Sequence, residues 1–204
     1  MKIIYGTGNA SKKKQVEDFF KATNVDIEIL SLKDIGFEKD IVEDGTTLEE
    51  NSMIKAKEVY KFCKDNDIEG IIVTDDTGLM VDCLNGAPGV YTARYAGDHA
   101  AQDVAINKLL TNIEKTGDKD RFARFECVLT AVLPNGEFKQ VKGITNGKIA
   151  EKPGIMGKLT FGPVFIPEGF DRVMNDLSDE ELGSTHREKA FLELLKEIKE
   201  MLTD

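Results

Sequence analysis

Hydrophobic residues follow two kinds of spacing along this chain. Short apolar runs at residues 2–5, 26–30, 71–73 and 163–166 predict β-strands, and residues 124–133 and 138–141 flank the turn at residues 134–137, which predicts a β-hairpin. Apolar stripes with helical spacing predict helices near residues 10–20, 47–63, 101–113 and 190–202. This mixture of parallel-type units and a hairpin predicts one α/β domain over residues 1–204, with an elongated mixed sheet and two lobes around a central cleft.

Composition places the chain among globular proteins and narrows its partners. The 204 residues are 41% hydrophobic, and the formal net charge of -10 argues against a nucleic-acid polymer as partner. Three scattered cysteines without a CxxC pair (Cys63, Cys83 and Cys127) are typical of reduced, buried thiols. Neither a signal peptide nor an apolar run of about 20 residues is present, so we expect a cytoplasmic enzyme without a membrane span.

Two neighbouring carboxylates follow the apolar run at residues 71–73. Asp75 and Asp76 precede Thr77 and Gly78, and further glycines up to Gly97 predict a long ordered loop. A buried strand that ends in acidic residues is one way in which α/β enzymes present metal ligands at the edge of a sheet. The structural alternative is an N-cap followed by a turn aspartate.

A glycine turn with lysines after it follows the first predicted strand. Residues 6–12 read GTGNASK and lead into an amphipathic helix, so backbone N–H groups and a helix N-terminus can face an anion. Lys12, Lys13 and Lys14 lie in the first helical turn, where the helix dipole disfavours cations, and this favours an anionic ligand. A solvated lysine run is the alternative, and neither a Walker A nor a GxGxxG pattern is present.

An acidic turn precedes the second predicted helix. Glu43 lies shortly before Thr47 and Glu50, which have capping-box spacing, and Lys55 follows within the helix. Glu43, Asp75 and Asp76 together would form an all-oxygen site for a hard cation. With the lysines, this set predicts Mg²⁺-assisted attack of water on a nucleotide phosphate. Two histidines without suitable neighbours disfavour a Ser-His-Asp hydrolase.

Four motifs of the chain resemble one enzyme family. They are TGNxxK at residues 7–12, EDGTTLEEN at residues 43–51, DDTGLMVDCLNGAPGVYTARYAG at residues 75–97, and HR at residues 186–187. These motifs resemble those of the non-canonical purine nucleoside triphosphate pyrophosphatases, the inosine/xanthosine triphosphate pyrophosphatase family. The resemblance extends over nearly the whole chain. The resemblance implies an α/β homodimer with a nucleotide-binding cleft. It also implies Mg²⁺-dependent hydrolysis of ITP, dITP and XTP to the monophosphate and pyrophosphate.

The resemblance also implies a role for each matching residue. The triphosphate would be held by Thr7, Gly8, Asn9, Lys12, Lys55 and Thr77. Glu43 and Asp76 would hold the metal, with Asp75 as a weaker candidate, and Asp76 would activate the water with Lys12 and Lys55 as catalytic partners. His186 and Arg187 would contact the base or the phosphate next to it.

The chain departs from the family pattern where the resemblance implies base recognition. Leu159 stands in place of an aromatic residue whose stacking on a base is worth about 1–3 kcal/mol, and Gly162 in place of an aspartate that helps to read the base edge. Gln15 stands where many members have a glutamate, and the stretch before His186 looks one residue shorter. Either Phe161 or another residue takes over the stacking, or base specificity is altered or relaxed towards canonical or modified dNTPs.

Two further alternatives belong to other classes of function. A nucleotide-binding module would keep the site without turnover, which the retained Glu43 and Asp76 argue against. A phosphatase acting on a non-nucleotide ester would release orthophosphate and no pyrophosphate.

Overall fold

The structure, a computed structural model, describes residues 2–23, 25–157 and 159–198. Strands and helices alternate over most of this length, with short 3-10 turns between them. The elements in chain order are β1 (Lys2–Tyr5), α1 (Ala10–Ala22), β2 (Glu28–Ser31), α2 (Leu48–Asp65), β3 (Ile71–Val81), β4 (Pro88–Gly89), α3 (Gln102–Thr116), β5 (Phe122–Val132), β6 (Phe138–Ile149), β7 (Phe165–Pro167), α4 (Asp179–Leu182) and α5 (His186–Ile198).

The described strands form a mixed sheet. Their hydrogen-bonded order is β2-β1-β3-β5-β6-β7, and β4 pairs with β3. β1 runs parallel to β2 and β3, whereas β4 is antiparallel to β3 and β7 antiparallel to β6. The predicted mixed α/β fold class is confirmed, while the predicted cleft between lobes stays a prediction. By its contacts the chain divides into two compact units, so the single domain over residues 1–204 stays a prediction as well.

The first unit comprises Met1–Asp76, Cys127–Gly143 and Glu188–Asp204. Alternate residues of its strands enter two different cores, because successive side chains of a strand point to opposite faces. Ile3, Tyr5 and Val73 pack with side chains of α1 and α5, whereas Ile4 and Ile72 pack with side chains of α2. Helices therefore cover both faces of the parallel strands in this unit.

The second unit comprises Thr77–Glu126 and Ile144–Arg187 and has a core of its own. One side of α3 supplies Ile106, Leu109 and Ile113 to this core. Phe125 of β5 meets Phe165 of β7 edge to face, with ring centroids 4.8 Å apart. The predicted hairpin is confirmed as β5 and β6, although β6 continues to Ile149, beyond the predicted strand at residues 138–141.

The largest correction concerns the strand that carries the acidic pair. The sequence predicts a strand at residues 71–73 that ends at Asp75 and Asp76, but β3 continues through both aspartates and Gly78 to Val81. The extension is explained by pairing, because β4 and β5 are hydrogen-bonded neighbours of β3. The carboxylates are therefore held by a strand and not by a loop.

Three smaller expectations also change. Thr47 caps α2 as predicted, but Glu50 accepts from the N–H and the hydroxyl of Thr46, so the reciprocal half of the capping box is missing. α5 begins at His186, whereas an apolar face starting at Ala190 was predicted; positions 201 and 202 of that face lie outside the described residues. All three cysteines are free thiols, but only Cys63 and Cys127 are buried.

Among the helices of residues 2–23, 25–157 and 159–198, none is long and apolar enough to cross a bilayer.

Candidate active site

The alternation of β3 sends its two carboxylates to opposite faces of the sheet. Asp75 shares a face with Val73 and meets the side of α1, whereas Asp76 shares a face with Thr74 and meets α2. Adjacent acidic residues in a strand therefore serve two different sets of partners. This separation was not foreseen from the sequence, where the two aspartates were grouped.

Asp75 is buried and paired with a lysine of the glycine-turn motif. Its Oδ2 lies 2.9 Å from Lys12 Nζ, and its Oδ1 accepts a 2.9 Å hydrogen bond from the Tyr5 hydroxyl. The Lys12 side chain keeps a third of its surface exposed, so its ammonium is open to an anion from outside. Tyr5 was not singled out by the sequence, although its place at the end of β1, on the face of Ile3, was a usable signal.

The glycine turn lies between β1 and α1 and carries three of the predicted phosphate-binding residues. Asn9 is the N-cap of α1, and its side chain accepts from the N–H groups of Ser11 and Lys12. Thr7 accepts from the N–H of Asn9, so the turn is organised by its own side chains. A Cβ at Gly8 would meet nothing within 4 Å, which leaves the outer side of the turn open.

The two lysines after Lys12 have partners of their own. Lys13 contacts Asp34 at 2.6 Å, and Lys14 pairs with Asp18 one turn further along α1. Lys13 and Lys14 thus form surface ion pairs, whereas Lys12 pairs with Asp75 of β3. The phosphate-binding role of the cluster stays a prediction, with Lys12 as its candidate residue.

Lys55 lies between two carboxylates on the other face of β3. Its Nζ is 2.7 Å from Glu43 Oε2 and 3.4 Å from Asp76 Oδ1. Burial disfavours the ammonium, but the charges of Asp76, Asp75 and Glu43 outweigh it and raise the pKa of Lys55. Burial also raises the pKa of Asp76, with Lys55 opposing and Glu43 reinforcing that shift.

Asp76 carries the unsatisfied oxygen of this group. Its Oδ2 is buried and has no hydrogen-bond partner. A buried acceptor without a partner costs about 1–3 kcal/mol, and more if it is charged, so this oxygen is a candidate position for an ion or a ligand. Among the described residues, no three His, Cys, Asp or Glu side chains are grouped to hold a metal. Two carboxylates nevertheless fit Mg²⁺, which protein sites hold through one or two carboxylates plus substrate oxygens.

Glu43 and Lys55 are positioned by neighbours on α2. The Asn51 side chain accepts a 2.8 Å hydrogen bond from the N–H of Gly45, which fixes the acidic turn to the helix. A Cβ at Gly45 would lie 2.6 Å from that oxygen, so only glycine allows this approach. Asn51 was missed from the sequence even though it ends the EDGTTLEEN motif.

Buried hydroxyls set the register of α2 against β3. The Ser52 hydroxyl donates to the Thr74 carbonyl at 3.2 Å and accepts from the Thr130 hydroxyl at 2.8 Å. The Thr74 hydroxyl returns a 2.7 Å hydrogen bond to the Ser52 carbonyl. Ser52 and Lys55 share one side of α2, and Thr74 and Asp76 one face of β3, so this contact brings the lysine to the carboxylate.

The predicted pair at the start of α5 is buried in the second unit. His186 stacks on Phe125 with ring centroids 5.0 Å apart and an interplanar angle of 20°. Arg187 reaches the hydroxyl of Thr77 at 3.4 Å, so two residues predicted to bind substrate contact each other. Both side chains are almost fully buried.

The region expected to read the base has a closed interior. Phe161 is fully buried and packs edge to face on Tyr95, so its ring offers no face to a base in this structure. Leu159 is partly buried against the same core. Gln102 donates to the carbonyl oxygens of Leu159 and Thr160 and accepts from the N–H of Gly157. Gln102 was missed from the sequence, where no motif includes it.

Gln15, one of the departures, has a partner that accounts for it. Its amide donates a 3.0 Å hydrogen bond to Glu188 at the start of α5. A glutamate at position 15 would place two like charges in contact there.

Known proteins are similar to this chain over nearly its whole length. The dITP/XTP pyrophosphatase of Caldanaerobacter subterraneus subsp. tengcongensis is 38% identical over 207 aligned residues, covering all of this chain and 99% of the relative. The Bacillus subtilis dITP/XTP pyrophosphatase is 38% identical over 196 residues, covering 95% of this chain and 94% of the relative.

Solved structures share the fold over nearly the full length. The Staphylococcus aureus Ham1 protein has a TM-score of 0.83 at 30% identity, covering 98% of this chain and all of that one. A HAM1 protein from Coxiella burnetii has a TM-score of 0.86 at 28% identity, covering 98% and 99%. Residues 3–197 match the Ham1 family itself. The chain is therefore a member of the Ham1 family.

Proposed function

We propose that this protein hydrolyses (deoxy)nucleoside triphosphates to the monophosphate and pyrophosphate. One observation carries the proposal: a buried carboxylate, Asp76, presents an unsatisfied oxygen beside Lys55 and Glu43. Relatives at 38% identity over almost the whole chain are named dITP/XTP pyrophosphatases, which supports the same chemistry here.

The residues divide the reaction between charge neutralisation and proton transfer. Lys12 and Lys55 offer ammonium groups to the triphosphate, whose charge increases on the phosphoryl oxygens as the bond breaks. Asp76 orients the attacking water and takes its proton on the carboxylate oxygen that a cation leaves open, and burial raises its pKa, which makes it a better base than an exposed carboxylate. The anhydride bond between the α- and β-phosphates breaks, and the water oxygen remains on one of the two products.

The donor set is suited to a magnesium ion. Glu43 and Asp76 would hold it, since both carboxylates contact Lys55 and one oxygen of Asp76 has no hydrogen-bond partner. When bound, Mg²⁺ supplies Lewis-acid neutralisation of phosphoryl oxygens. Asp75 is not part of this pair, because it points to the other face of β3 and is bound by Lys12 and Tyr5.

Non-canonical purines are the substrates we propose first: ITP, dITP and XTP. The names of the relatives support this choice. The rebuilt segment around Leu159 and Gly162 favours a second candidate, the same hydrolysis with altered or relaxed base specificity. Under both candidates we propose the same residues for the triphosphate and the metal ion, because the motifs that carry them match the family.

The decisive experiment measures pyrophosphate and orthophosphate release with Mg²⁺ across ITP, XTP, dITP, the canonical NTPs and the canonical dNTPs. We expect pyrophosphate as the inorganic product, with a preference of about a hundredfold or more for ITP, dITP and XTP, as is usual when a site pairs with the groups of one base edge. A flat profile or a peak on another base would favour the second candidate. Orthophosphate alone, or no product at all, would refute the proposal and point to a phosphatase or a nucleotide-binding module.

We propose in addition that the protein acts as a homodimer in the cytoplasm. The family resemblance supports the dimer, and the free thiols of the three cysteines fit a reducing compartment. Light scattering at the concentrations used for the enzyme assay tests the oligomeric state, and a monomeric mass in an active sample would refute the dimer.

A further inference from the structure

A buried asparagine secures the loop in which the chain departs from its family. Asn175 lies in the 3-10 turn Met174–Asp176 and is 9% exposed. Its side-chain amide donates to the carbonyl oxygens of Ile155 at 3.1 Å and Gly157 at 2.6 Å, and its backbone N–H donates to Gly162 at 3.3 Å. Asn175 thus contacts the chain on both sides of Leu159: residues 155 and 157 before it, and Gly162, the other departure, after it.

The other half of the same amide occupies the space above Gly162. A Cβ built at position 162 would lie 2.1 Å from Asn175 Oδ1 and 2.9 Å from its Cγ. The backbone of Gly162 is not in the left-handed region, so an L-residue is excluded by this contact and not by its dihedral angles. A side chain at position 162 therefore requires the Asn175 amide to move, which would break its hydrogen bonds to residues 155 and 157.

The amide oxygen gains no hydrogen bond in that position. Asn175 Oδ1 is buried and without a partner, although the two protons of the same amide are both used. A buried acceptor that is left unsatisfied is a cost. It is retained because the donors must reach the carbonyls of residues 155 and 157, which fixes the oxygen over Gly162.

We propose that Asn175 is a positioning residue for base selectivity and that Asn175 and Gly162 form an interdependent pair. In this pair the missing side chain at position 162 is replaced by the asparagine amide, which fixes the shape of the segment. Base selectivity then depends on how the segment is held and no longer on a carboxylate at position 162. The inference rests on the proposed function, because it concerns which triphosphate is hydrolysed.

A double-mutant cycle tests the interdependence. The variants are Asn175→Ala, Gly162→Asp and the double variant, and the readouts are the Tm and the ratio of kcat/KM for dITP over dGTP. We expect each single variant to change the ratio by about tenfold, through KM more than kcat, because the phosphate-binding residues are untouched. Gly162→Asp should lower the Tm by several degrees, and in the double variant the Tm should return to that of Asn175→Ala alone because alanine removes the clash. The ratio should stay at the Asn175→Ala value, because the donors to residues 155 and 157 are still missing.

Gln102→Ala is the matched control. Gln102 secures the same segment by hydrogen bonds to residues 157, 159 and 160. The three heavy atoms nearest to a Cβ at position 162 belong to other residues, so Gln102 does not compete for that space. Combining it with Gly162→Asp should give additive losses and no recovery. Asn175→Asp tells the effect of side-chain volume from the effect of the hydrogen-bond donors. It fills the space over Gly162 but cannot donate to the carbonyl oxygens of Ile155 or Gly157, so it should resemble Asn175→Ala in base selectivity.

The outcomes also separate this inference from the proposed function. If wild-type protein releases pyrophosphate but the ratio stays unchanged in all variants while the Tm falls, Asn175 is merely structural and the inference is wrong. Additive effects of Asn175→Ala and Gly162→Asp would likewise overturn the pair. If wild-type protein releases no pyrophosphate from any triphosphate, the proposed function itself fails.

Discussion

The acidic group around Lys55 and the segment around Gly162 are built from opposite kinds of polar contact. In the first unit, Lys12 and Lys55 make ion pairs with Asp75, Glu43 and Asp76. In the second unit, the segment is held by the neutral amides of Gln102 and Asn175, which donate to backbone carbonyls. The first region is held together by ion pairs, and the second by neutral hydrogen bonds that set the path of the backbone.

This difference explains where the chain departs from its family. The charged residues that we propose for phosphate, water and a metal ion are constrained by that chemistry, because each type of group has few substitutes. Amide contacts to backbone carbonyls use atoms that every sequence has, so different side chains can rebuild the same loop. The departures Leu159 and Gly162 accordingly lie in the amide-held segment, while the matched motifs supply the charges.

The largest effect is expected for Asp76→Asn, which removes the proposed base. Pyrophosphate release should fall by about 10³-fold, because an amide cannot take a proton from water. Burial raises the pKa of Asp76, so the charged form is unfavourable in the folded state and the variant should not lower the Tm. Activity within tenfold of wild type would remove Asp76 from the mechanism; a collapse of the Tm would show that its charge has a structural role.

Lys55→Met should cause the next largest loss. It leaves Glu43 and Asp76 without their shared cation, so we expect a cost in unfolding free energy of about 2–3 kcal/mol, below that of a fully buried pair, and about 100-fold lower activity. If the carboxylates hold a metal, Mg²⁺ should raise the Tm of this variant more than that of wild type. The control is Lys57→Met, an exposed lysine of the same helix. An equal Mg²⁺ response in both variants would argue against the metal site.

Ser52→Ala addresses the scaffold that brings Lys55 to Asp76. Loss of the hydroxyl leaves the Thr130 hydroxyl and the Thr74 carbonyl short of a buried partner, which should cost about 1–3 kcal/mol in denaturant unfolding. Activity should fall by less than tenfold, because the Thr74 hydroxyl still bonds the backbone of residue 52. A larger activity loss at unchanged stability would mean that the hydroxyl takes part in the reaction.

Asp34→Asn tests the surface charges of the lysine cluster and should have the smallest effect. Hydrogen bonds from Lys13 and then Ser31 hold the pKa of Asp34 well below its usual range. A lowered pKa stabilises the fold above the unfolded-state pKa near 4, and this contribution is lost as pH falls further. Because the pair is partly exposed, the variant should lose at most about 1 kcal/mol at pH 7 and less at pH 3, measured by urea unfolding. A larger deficit at pH 3 would reverse the sign.

Sequence patterns predicted the helices and strands better than they predicted the contacts between side chains. Apolar runs placed β1, the hairpin and the main helices, because burial repeats with the period of each element. They ended β3 too early, since Asp75 and Asp76 read as a strand end when the neighbouring strands are unknown. The sequence also could not show that Lys13 pairs with Asp34, because residue 34 meets α1 only through folding. The pair of Lys14 and Asp18 was open to prediction, since residues four apart on a helix are neighbours.

Taken alone, the sequence determined the element types, the motifs that resemble a pyrophosphatase and the departures at positions 159 and 162. Residue type and local spacing carry that information. Only the tertiary structure decided that Asp75 and Asp76 point to opposite faces, that Phe161 is buried, and that the Asn175 amide fills the space above Gly162. These are relations between side chains far apart in sequence, and packing of strands and turns sets the distances between them.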